Sequence, residues 1–402
     1  MLSNETRAAL IGVALLGAAA LVACGGGSGT DTPAPVETRG TLAVSLTDAP
    51  ACGFDAVNVT VSKVRVHRSE TAGDKDAGWT DIVLNPARKI NLLKLSNGGL
   101  EALGQVSLEA GRYTQLRLVL DAGAGAMANT VVPLDGRAEL PLETPGAAQG
   151  GIKLTGMFDV SAGRKSEVVL DFDACKSVLT RGKGSYALKP SVKVVPVAAN
   201  GISGFVSTTV LGRGVQVSAQ QNGSIVSATT PDPATGEFFL ARLAPGNYDV
   251  VITAHSSAAS VIAAVPVASK TSTTVLSTLM APILLAPGNT GAIGGTVSMT
   301  PAGAEPAFVA ARQSFANGPT VTVKYAGADL ASGAYTIAGL PVSAPQFATY
   351  SAALPLAFSA SDAVPAGTYR VEASAAGYGA RAADGVDIAS GNRPDVDLAL
   401  GR

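Results

Sequence analysis

Charged and aromatic side chains are scarce in this 402-residue chain, at 15% and 5% of all residues, and the formal net charge is only −1 at pH 7. A chain so close to neutrality has no general electrostatic attraction to nucleic acid or to an anionic lipid surface. The two histidines leave no His-rich metal site or histidine-based triad to assemble. Few aromatic rings also weigh against carbohydrate binding, because sugars stack on such rings.

The common catalytic motifs are missing as well. No serine nucleophile elbow, zinc motif or reactive cysteine context is present. The glycine-rich run at residues 25–29 is not a phosphate-binding loop, because no lysine follows it and no strand pattern precedes it. We therefore predict that the chain is not an enzyme and needs no cofactor. A hydrolase that uses paired carboxylates is the enzyme class that the sequence leaves open.

What the sequence does contain begins with an uncharged apolar run at residues 8–23. The run is shorter than the roughly 20 residues that a membrane-spanning helix needs, and small residues precede Cys24, as in a cleavable secretory signal. Leu21, Ala23 and Cys24 resemble the lipobox of bacterial lipoproteins. The resemblance implies a signal peptide at residues 1–23, cleavage before Cys24 and a diacylglycerol on its sulfur. An ordinary signal peptide with a chance cysteine, or an uncleaved anchor, are the alternatives.

The same resemblance implies where the protein is held. With two or more acyl chains the anchor on Cys24 would be effectively permanent, so the membrane is a predicted partner. Gly25 after the cysteine, in place of an aspartate, favours sorting to the outer membrane. Residues 24–40 are rich in glycine and proline and are predicted to form a tether that holds the folded part off the lipid surface.

Three cysteines are present. If Cys24 carries lipid, Cys52 and Cys175 remain as an even pair in an oxidising compartment, and we predict a disulfide between them. Closing a loop of roughly 120 residues would stabilise the fold by about 4–5 kcal/mol in the chain-entropy model. Two buried free thiols are the alternative.

Apolar residues recur mainly at every second position through residues 41–199, which predicts half-buried β-strands. Valines alternate in one phase at residues 57–61 and in the other at residues 64–66, which predicts a β-bulge near Ser62. Residues 99–103 are the one stretch predicted to be briefly helical. Many short strands at close spacing predict a β-sandwich or a barrel.

Several motifs in this first region resemble the bacterial family called domain of unknown function 4382 (DUF4382). They are LTDAP at residues 46–50, VNVTV at 57–61, AGRYTQLR at 110–117, DFDA at 171–174 and YALKP at 186–190. The resemblance covers nearly all of residues 41–197. It implies a secreted or lipid-anchored β-rich domain without an agreed activity, and it supplies no catalytic residue.

Two related regions follow, at residues 200–288 and 289–402. Both contain a glycine turn before an alternating strand, and then a second glycine turn before a strand with Tyr and Val on one face. The matching stretches are GEFFL at 236–240 with GAYTI at 333–337, and APGNYDV at 244–250 with PAGTYRV at 365–371. They resemble carboxypeptidase regulatory-like and Cna B-type domains, which implies two prealbumin-like β-sandwiches. The second copy has an insertion at residues 341–364, predicted to be a long loop or an extra hairpin.

A few residues are weak candidates for binding. Asp171 and Asp173, predicted on one strand face, could bind a calcium ion together with Asp48 through carboxylate oxygens. In the alternative, Asp48 caps a turn and the other two face solvent or pair with Arg117. Trp79, the only tryptophan, could stack on a sugar, although a core or rim position is the simpler interpretation.

Together these observations predict an all-β fold of three consecutive β-sandwich domains after a cleaved lipoprotein signal helix. The predicted function is that of a lipid-anchored, non-catalytic envelope protein whose β-domains stack as a stalk and present loops for binding, as adhesins do. The alternative is binding to a carbohydrate or envelope polymer, aided by Trp79, Tyr325 or Tyr350. A polysaccharide or another envelope protein is accordingly a candidate partner.

Overall fold

Alternating apolar residues place most of the described chain in β-strands. A computed structural model describes residues 38–48, 53–121, 127–134, 138–147, 150–154, 156–198, 200–316, 318–361 and 364–402. Helix in these ranges is limited to α1, Ala174–Ser177, and to 3₁₀ turns at Leu92–Leu95 and Thr208–Arg213. The predicted all-β class is therefore confirmed. In the described ranges no helix is long and apolar enough to span a membrane.

We refer to residues 38–198, 200–288 and 289–402 as the first, second and third segments. The strands of the first segment are β1 Arg39–Asp48, β2 Phe54–His67, β3 Thr80–Asn91, β4 Glu101–Glu109, β5 Gly111–Tyr113, β6 Gln115–Leu120, β7 Thr130–Pro133, β8 Leu140–Glu143, β9 Ile152–Leu154, β10 Phe158–Val160, β11 Lys165–Phe172, β12 Val178–Thr180, β13 Tyr186–Leu188 and β14 Val192–Pro196. One sheet has the order β14-β11-β1-β4, and the other has the order β12-β13-β8-β7-β2-β6-β9 with β3 also on β2. β5 and β10 form a separate two-stranded ribbon.

Two local features of the first segment test the sequence patterns. The register of β2 shifts between Val61 and Lys63 against two of its neighbours, β3 and β6, so the predicted bulge at Ser62 is confirmed. The bulge lets the valines on both sides of it point into one core. The helix predicted at residues 99–103 is wrong, because Glu101–Glu109 pairs with β1 and this pairing overrides local helix preference.

The second and third segments contain sixteen of the described strands. They are β15 Gly201–Phe205, β16 Gln216–Gln221, β17 Ser224–Thr229, β18 Glu237–Ala241, β19 Gly246–Thr253, β20 Ser260–Val267, β21 Thr273–Val275, β22 Thr290–Thr300, β23 Ala307–Ser314, β24 Thr320–Gly327, β25 Ala334–Pro341, β26 Gln346–Thr349, β27 Ser359–Ala360, β28 Thr368–Ala375, β29 Arg381–Asp387 and β30 Leu398–Gly401. The sheets β18-β15-β21 and β17-β16-β19-β20 recur in the same order as β25-β22-β30 and β24-β23-β28-β29. The repeated sequence motifs therefore correspond to a repeated seven-stranded arrangement.

The insertion at residues 341–364 forms an extra hairpin, β26–β27, that joins the sheet of the second segment. β26 pairs in parallel with β20, with Phe347 opposite Val261. The exposed edge that β20 would otherwise present is thus covered by a strand from the third segment.

The buried cores of the second and third segments interlock in the same region. The core of the third segment includes Val251, Ala259 and Val261 from the second. Conversely, Tyr350 and Phe358 from the insertion pack against the core of the second segment. The first segment has its own buried cluster, and residues Thr38–Arg402 together form one compact unit.

Candidate functional site

Asn97 connects the first segment to the second. Its backbone N–H donates to Thr229 Oγ1 at 2.8 Å. Its side-chain Nδ2 donates to the Glu237 carbonyl at 3.0 Å, and its Oδ1 accepts from the Phe239 N–H at 2.5 Å. The amide therefore satisfies both a carbonyl and an N–H of β18, as a neighbouring strand would.

Gln220 makes the equivalent connection between the second segment and the third. The buried side chain donates from Nε2 to the Thr322 carbonyl at 2.7 Å and accepts from the Thr322 N–H at 2.8 Å. The Thr322 hydroxyl donates to the Gly223 carbonyl at 2.6 Å. Because a buried amide is costly to leave unbonded, these contacts fix how β16 and β24 meet.

Asp329 connects the third segment back to the first. Its Oδ2 accepts from the Gly182 N–H at 2.7 Å, and the Leu330 N–H donates to the Thr180 carbonyl at 3.0 Å. Each segment therefore contacts the other two.

A cavity of about 630 Å³ lies between the three segments. Its volume is within the range of small-molecule sites. Its walls come from all three segments and are largely apolar, with contributions from Leu179, Val195, Ile225, Phe239, Val323 and Ile337.

A carboxylate and a guanidinium from different segments line this cavity together. Burial raises the pKa of Asp171 to about 6, and attraction to Arg242 opposes that rise. Arg242 donates from Nη2 to Thr47 Oγ1 at 2.9 Å and from Nη1 to the Gly98 carbonyl at 3.4 Å. Thr47 and Asp171 are directly paired on β1 and β11, so the strand register places the hydroxyl and the carboxylate on the same sheet face.

Asp173 and Tyr325 join the first and third segments at the same cavity. Asp173 caps α1 by accepting from the Lys176 N–H at 3.0 Å, and it pairs with Lys176 Nζ at 3.2 Å. The Tyr325 hydroxyl contacts Asp173, and Lys176 Nζ lies 5.6 Å from the centroid of its ring. Burial, followed by the negative charges of Asp173 and Asp48, raises the pKa of Tyr325 well above its ordinary value. The phenol is therefore a hydrogen-bond donor at neutral pH.

The three aspartates that were weak candidates for calcium thus line one cavity. Asp48 Oδ1 accepts from the Ala174 N–H at 3.0 Å, so it caps the short helix α1. Asp173 lies just beyond the end of β11 and not on its face. Among the described residues, no group of three or more His, Cys, Asp and Glu side chains is arranged to hold a metal ion.

Trp79 lies away from this cavity, against charged side chains of β2 and β6. The guanidinium carbons of Arg65 and Arg117 are 4.7 and 4.9 Å from its ring centroid, and its Nε1 donates to the Gly73 carbonyl at 2.8 Å. Arg117 also pairs with Asp74, so the alternative ion pair between Arg117 and the aspartates near the end of β11 is wrong. The ring anchors the loop before β3 on the sheet surface.

The predicted cysteine chemistry lies largely outside the described residues. Cys175 is 7% exposed within α1 and lines the cavity, as does Gly53, the residue that follows Cys52. Cys24 and Cys52 are themselves not among the described residues. The lipid on Cys24 and the Cys52–Cys175 disulfide stay predictions.

Sequence reasoning identified part of the cavity and missed the rest. Asp48, Asp171, Asp173 and Tyr325 were all singled out, although for a metal or a sugar. Arg242 was missed, because no motif marks it and its contacts lie more than a hundred residues away in the chain. Arg242 also has a left-handed backbone angle, φ 58, which is uncommon for a residue other than glycine and which the sequence does not display.

Similarity to known proteins comes from a family model and from solved structures. No curated protein matches the chain. A type II cohesin–X-dockerin complex from Acetivibrio cellulolyticus is 27% identical over 22% of this chain and 59% of that chain, with a TM-score of 0.19. The Bacillus anthracis TIE protein is 10% identical over 91% of this chain and 51% of that chain, with a TM-score of 0.16. The chain thus spans 59% and 51% of the lengths of these two proteins.

The major pilin SpaA of Corynebacterium diphtheriae is 13% identical over 90% of this chain and 100% of that chain, with a TM-score of 0.19. At these TM-scores none of the three likenesses carries a structural argument. The sequence match is firmer, since the family described as "Domain of unknown function (DUF4382)" matches residues 39–190. Most of the first segment is therefore similar to this family, at the residues where the motifs predicted the resemblance.

Proposed function

We propose that the chain is a non-catalytic structural protein of the bacterial cell envelope, held at the outer membrane by a lipid on Cys24. In this proposal the three segments act as one rigid body at the end of the tether at residues 24–40. The observation that supports it best is the closed set of contacts through Asn97, Gln220 and Asp329, because each segment is bonded to both others.

Rigidity of this kind suits a structural role. Domains joined only by linkers move relative to one another by default, unless their interface is large and apolar. Here the β26–β27 hairpin extends the sheet of the second segment, and the cores of the second and third segments share side chains. A force applied to one segment, directly or through a bound partner, would therefore be transmitted to the other two segments.

Binding of a polysaccharide through Trp79 receives no support from the geometry. The ring already contacts Arg65 and Arg117, and its indole N–H is bonded to a loop carbonyl. Tyr350 packs against the core of the second segment. The structural role is therefore the function that we retain.

Cys24→Ala is expected to move the protein from the membrane fraction to the soluble fraction of the envelope, because the predicted acyl chains would have no attachment point. The measurement is fractionation and metabolic palmitate labelling in a Gram-negative host, with Ser28→Ala in the same tether as the control. The parent and Ser28→Ala should incorporate palmitate and stay in the membrane fraction. An unlabelled parent, or a Cys24→Ala variant that stays membrane-bound, would contradict the lipid anchor.

A further inference from the structure

We propose that the cavity between the three segments binds a small anionic amphiphile, a molecule with an apolar body and one negatively charged head group. This inference goes beyond the structural role, because a rigid body needs no internal ligand. It rests on the shape of the cavity and on which of its charges already have partners.

The apolar body of the ligand would pack against the apolar walls of the cavity. Leu179 of the first segment, Phe239 of the second and Ile337 of the third all contribute to them. A volume of about 630 Å³ accommodates a ligand of ordinary small-molecule size. Filling it would bury apolar ligand surface, which is the main source of affinity in such sites.

Positive charge predominates among the cavity groups that lack an ion-pair partner. Of the three aspartates, Asp173 is paired with Lys176 and Asp48 accepts the Ala174 N–H. A hydrogen bond does not neutralise a carboxylate, so Asp48 and Asp171 supply the remaining negative charges. Against these two stand four cations that line the cavity and have no carboxylate ion-pair partner among the described residues, namely Lys193, Arg242, Lys270 and Lys324.

Two of these cations, Arg242 and Lys324, are partly buried, and either of them could contact the head group. Arg242 uses two N–H donors on Thr47 and Gly98, which leaves further donors of the guanidinium for an anion. Among the described residues Lys324 donates only to the Ala338 carbonyl, at a long 3.4 Å, and burial lowers its pKa. An anion beside Lys324 would favour its charged form and so compensate for the hydration that the ammonium group loses on burial.

The two other cations are exposed and mark the solvent side of the cavity. Lys193 lies on β14 directly opposite Asp171 on β11, and Lys270 belongs to the second segment. Exposed lysines beside an apolar opening attract anions from solution, an effect that salt screens.

Asp171 makes the proposed binding dependent on pH. Its carboxyl faces Arg242 from the second segment and Asp173, Lys176 and Lys193 from the first. A bound anion would disfavour the ionised form of Asp171 further, so binding would be accompanied by proton uptake. Affinity for the anion is therefore expected to rise as the pH falls from 7.5 to 5.5, through the pKa of about 6.

The test is isothermal titration calorimetry of the full chain carrying Cys24→Ala, which removes the predicted lipid. Dodecanoate is the anionic probe and dodecyltrimethylammonium the cationic one, both kept below the concentrations at which they form micelles. We expect one dodecanoate site per chain and binding of the cation at least about tenfold weaker. Lys324→Met, which keeps the aliphatic stem, should weaken dodecanoate binding about tenfold.

Two further variants complete the experiment. Lys94→Met, at an exposed lysine of the first segment, should leave dodecanoate binding unchanged. Asp171→Asn should retain or tighten binding and abolish its pH dependence between 5.5 and 7.5. Tighter binding of the cation, the absence of a saturable site, or equal affinity of Lys324→Met and Lys94→Met with unchanged thermal melting would each overturn the proposal. None of these outcomes bears on the membrane anchor, which fractionation tests separately.

Discussion

Gly333→Ala is expected to lower the free energy of unfolding by about 3 kcal/mol or more. Gly333 has φ 71, a left-handed angle that costs other L-residues about 1–2 kcal/mol. In addition, a Cβ added at Gly333 would collide with the backbone carbonyl oxygen of Val297. The two residues are held together by a hydrogen bond from the Val297 N–H to the Gly333 carbonyl at 2.8 Å. Backbone in the middle of β22 cannot move aside as a flexible side chain could.

A matched glycine separates these two effects. Gly377 has a similar φ of 77, but nothing lies within 4 Å of the position of an added Cβ. Gly377→Ala should therefore cost only about 1 kcal/mol, from the backbone angle alone. The measurement is urea unfolding of both variants, followed by circular dichroism. Equal losses in the two variants would show that the close approach to Val297 contributes nothing.

Asp329→Ala is expected to destabilise the chain by about 2 kcal/mol at pH 7, more than Asp232→Ala does. The two aspartates occupy the same turn in the two repeats. Asp232 Oδ1 accepts from the N–H groups of Ala234 and Thr235 at 2.9 and 2.8 Å. Asp329 makes the equivalent bonds within its own turn, at 3.0 and 2.9 Å, and adds the bond from Gly182. The difference between the variants therefore reports the contact between the third and first segments.

The effect of Asp329→Ala should also depend on pH. Burial acts to raise the pKa of this carboxyl, but the hydrogen bonds from Gly182 and Ser332 outweigh it and hold the pKa well below its ordinary value. A carboxyl with a depressed pKa stabilises the fold above its unfolded pKa of about 4 and loses that contribution as the pH falls. The stability gap between the parent and Asp329→Ala should thus narrow between pH 5 and pH 2. A gap that stays constant over this range would contradict the role of the ionised form.

The parts of the fold that depend on short-range pattern could be predicted from the sequence. Alternating valines define β2 and even its bulge at Ser62, because side chains on a strand alternate between two faces whatever lies around them. The glycine turns of the repeats are equally local, since Gly236 and Gly333 must adopt positive φ angles.

The contacts between segments depend on long-range geometry and could not be predicted. Asn97 and Gln220 are ordinary polar residues in sequence, and only the fold brings them to Phe239 and Thr322. The insertion could be predicted as a loop or a hairpin, but its pairing with β20 depends on how the second and third segments meet. The cavity combines residues from all three segments, so no window of sequence contains it.

Differential scanning calorimetry of the full chain carrying Cys24→Ala tests most directly whether the three segments form one body. The contacts through Asn97, Gln220 and Asp329 predict a single transition whose calorimetric and van't Hoff enthalpies agree. Two or three resolved transitions, or a calorimetric enthalpy well above the van't Hoff value, would show that the segments unfold independently and would contradict the account.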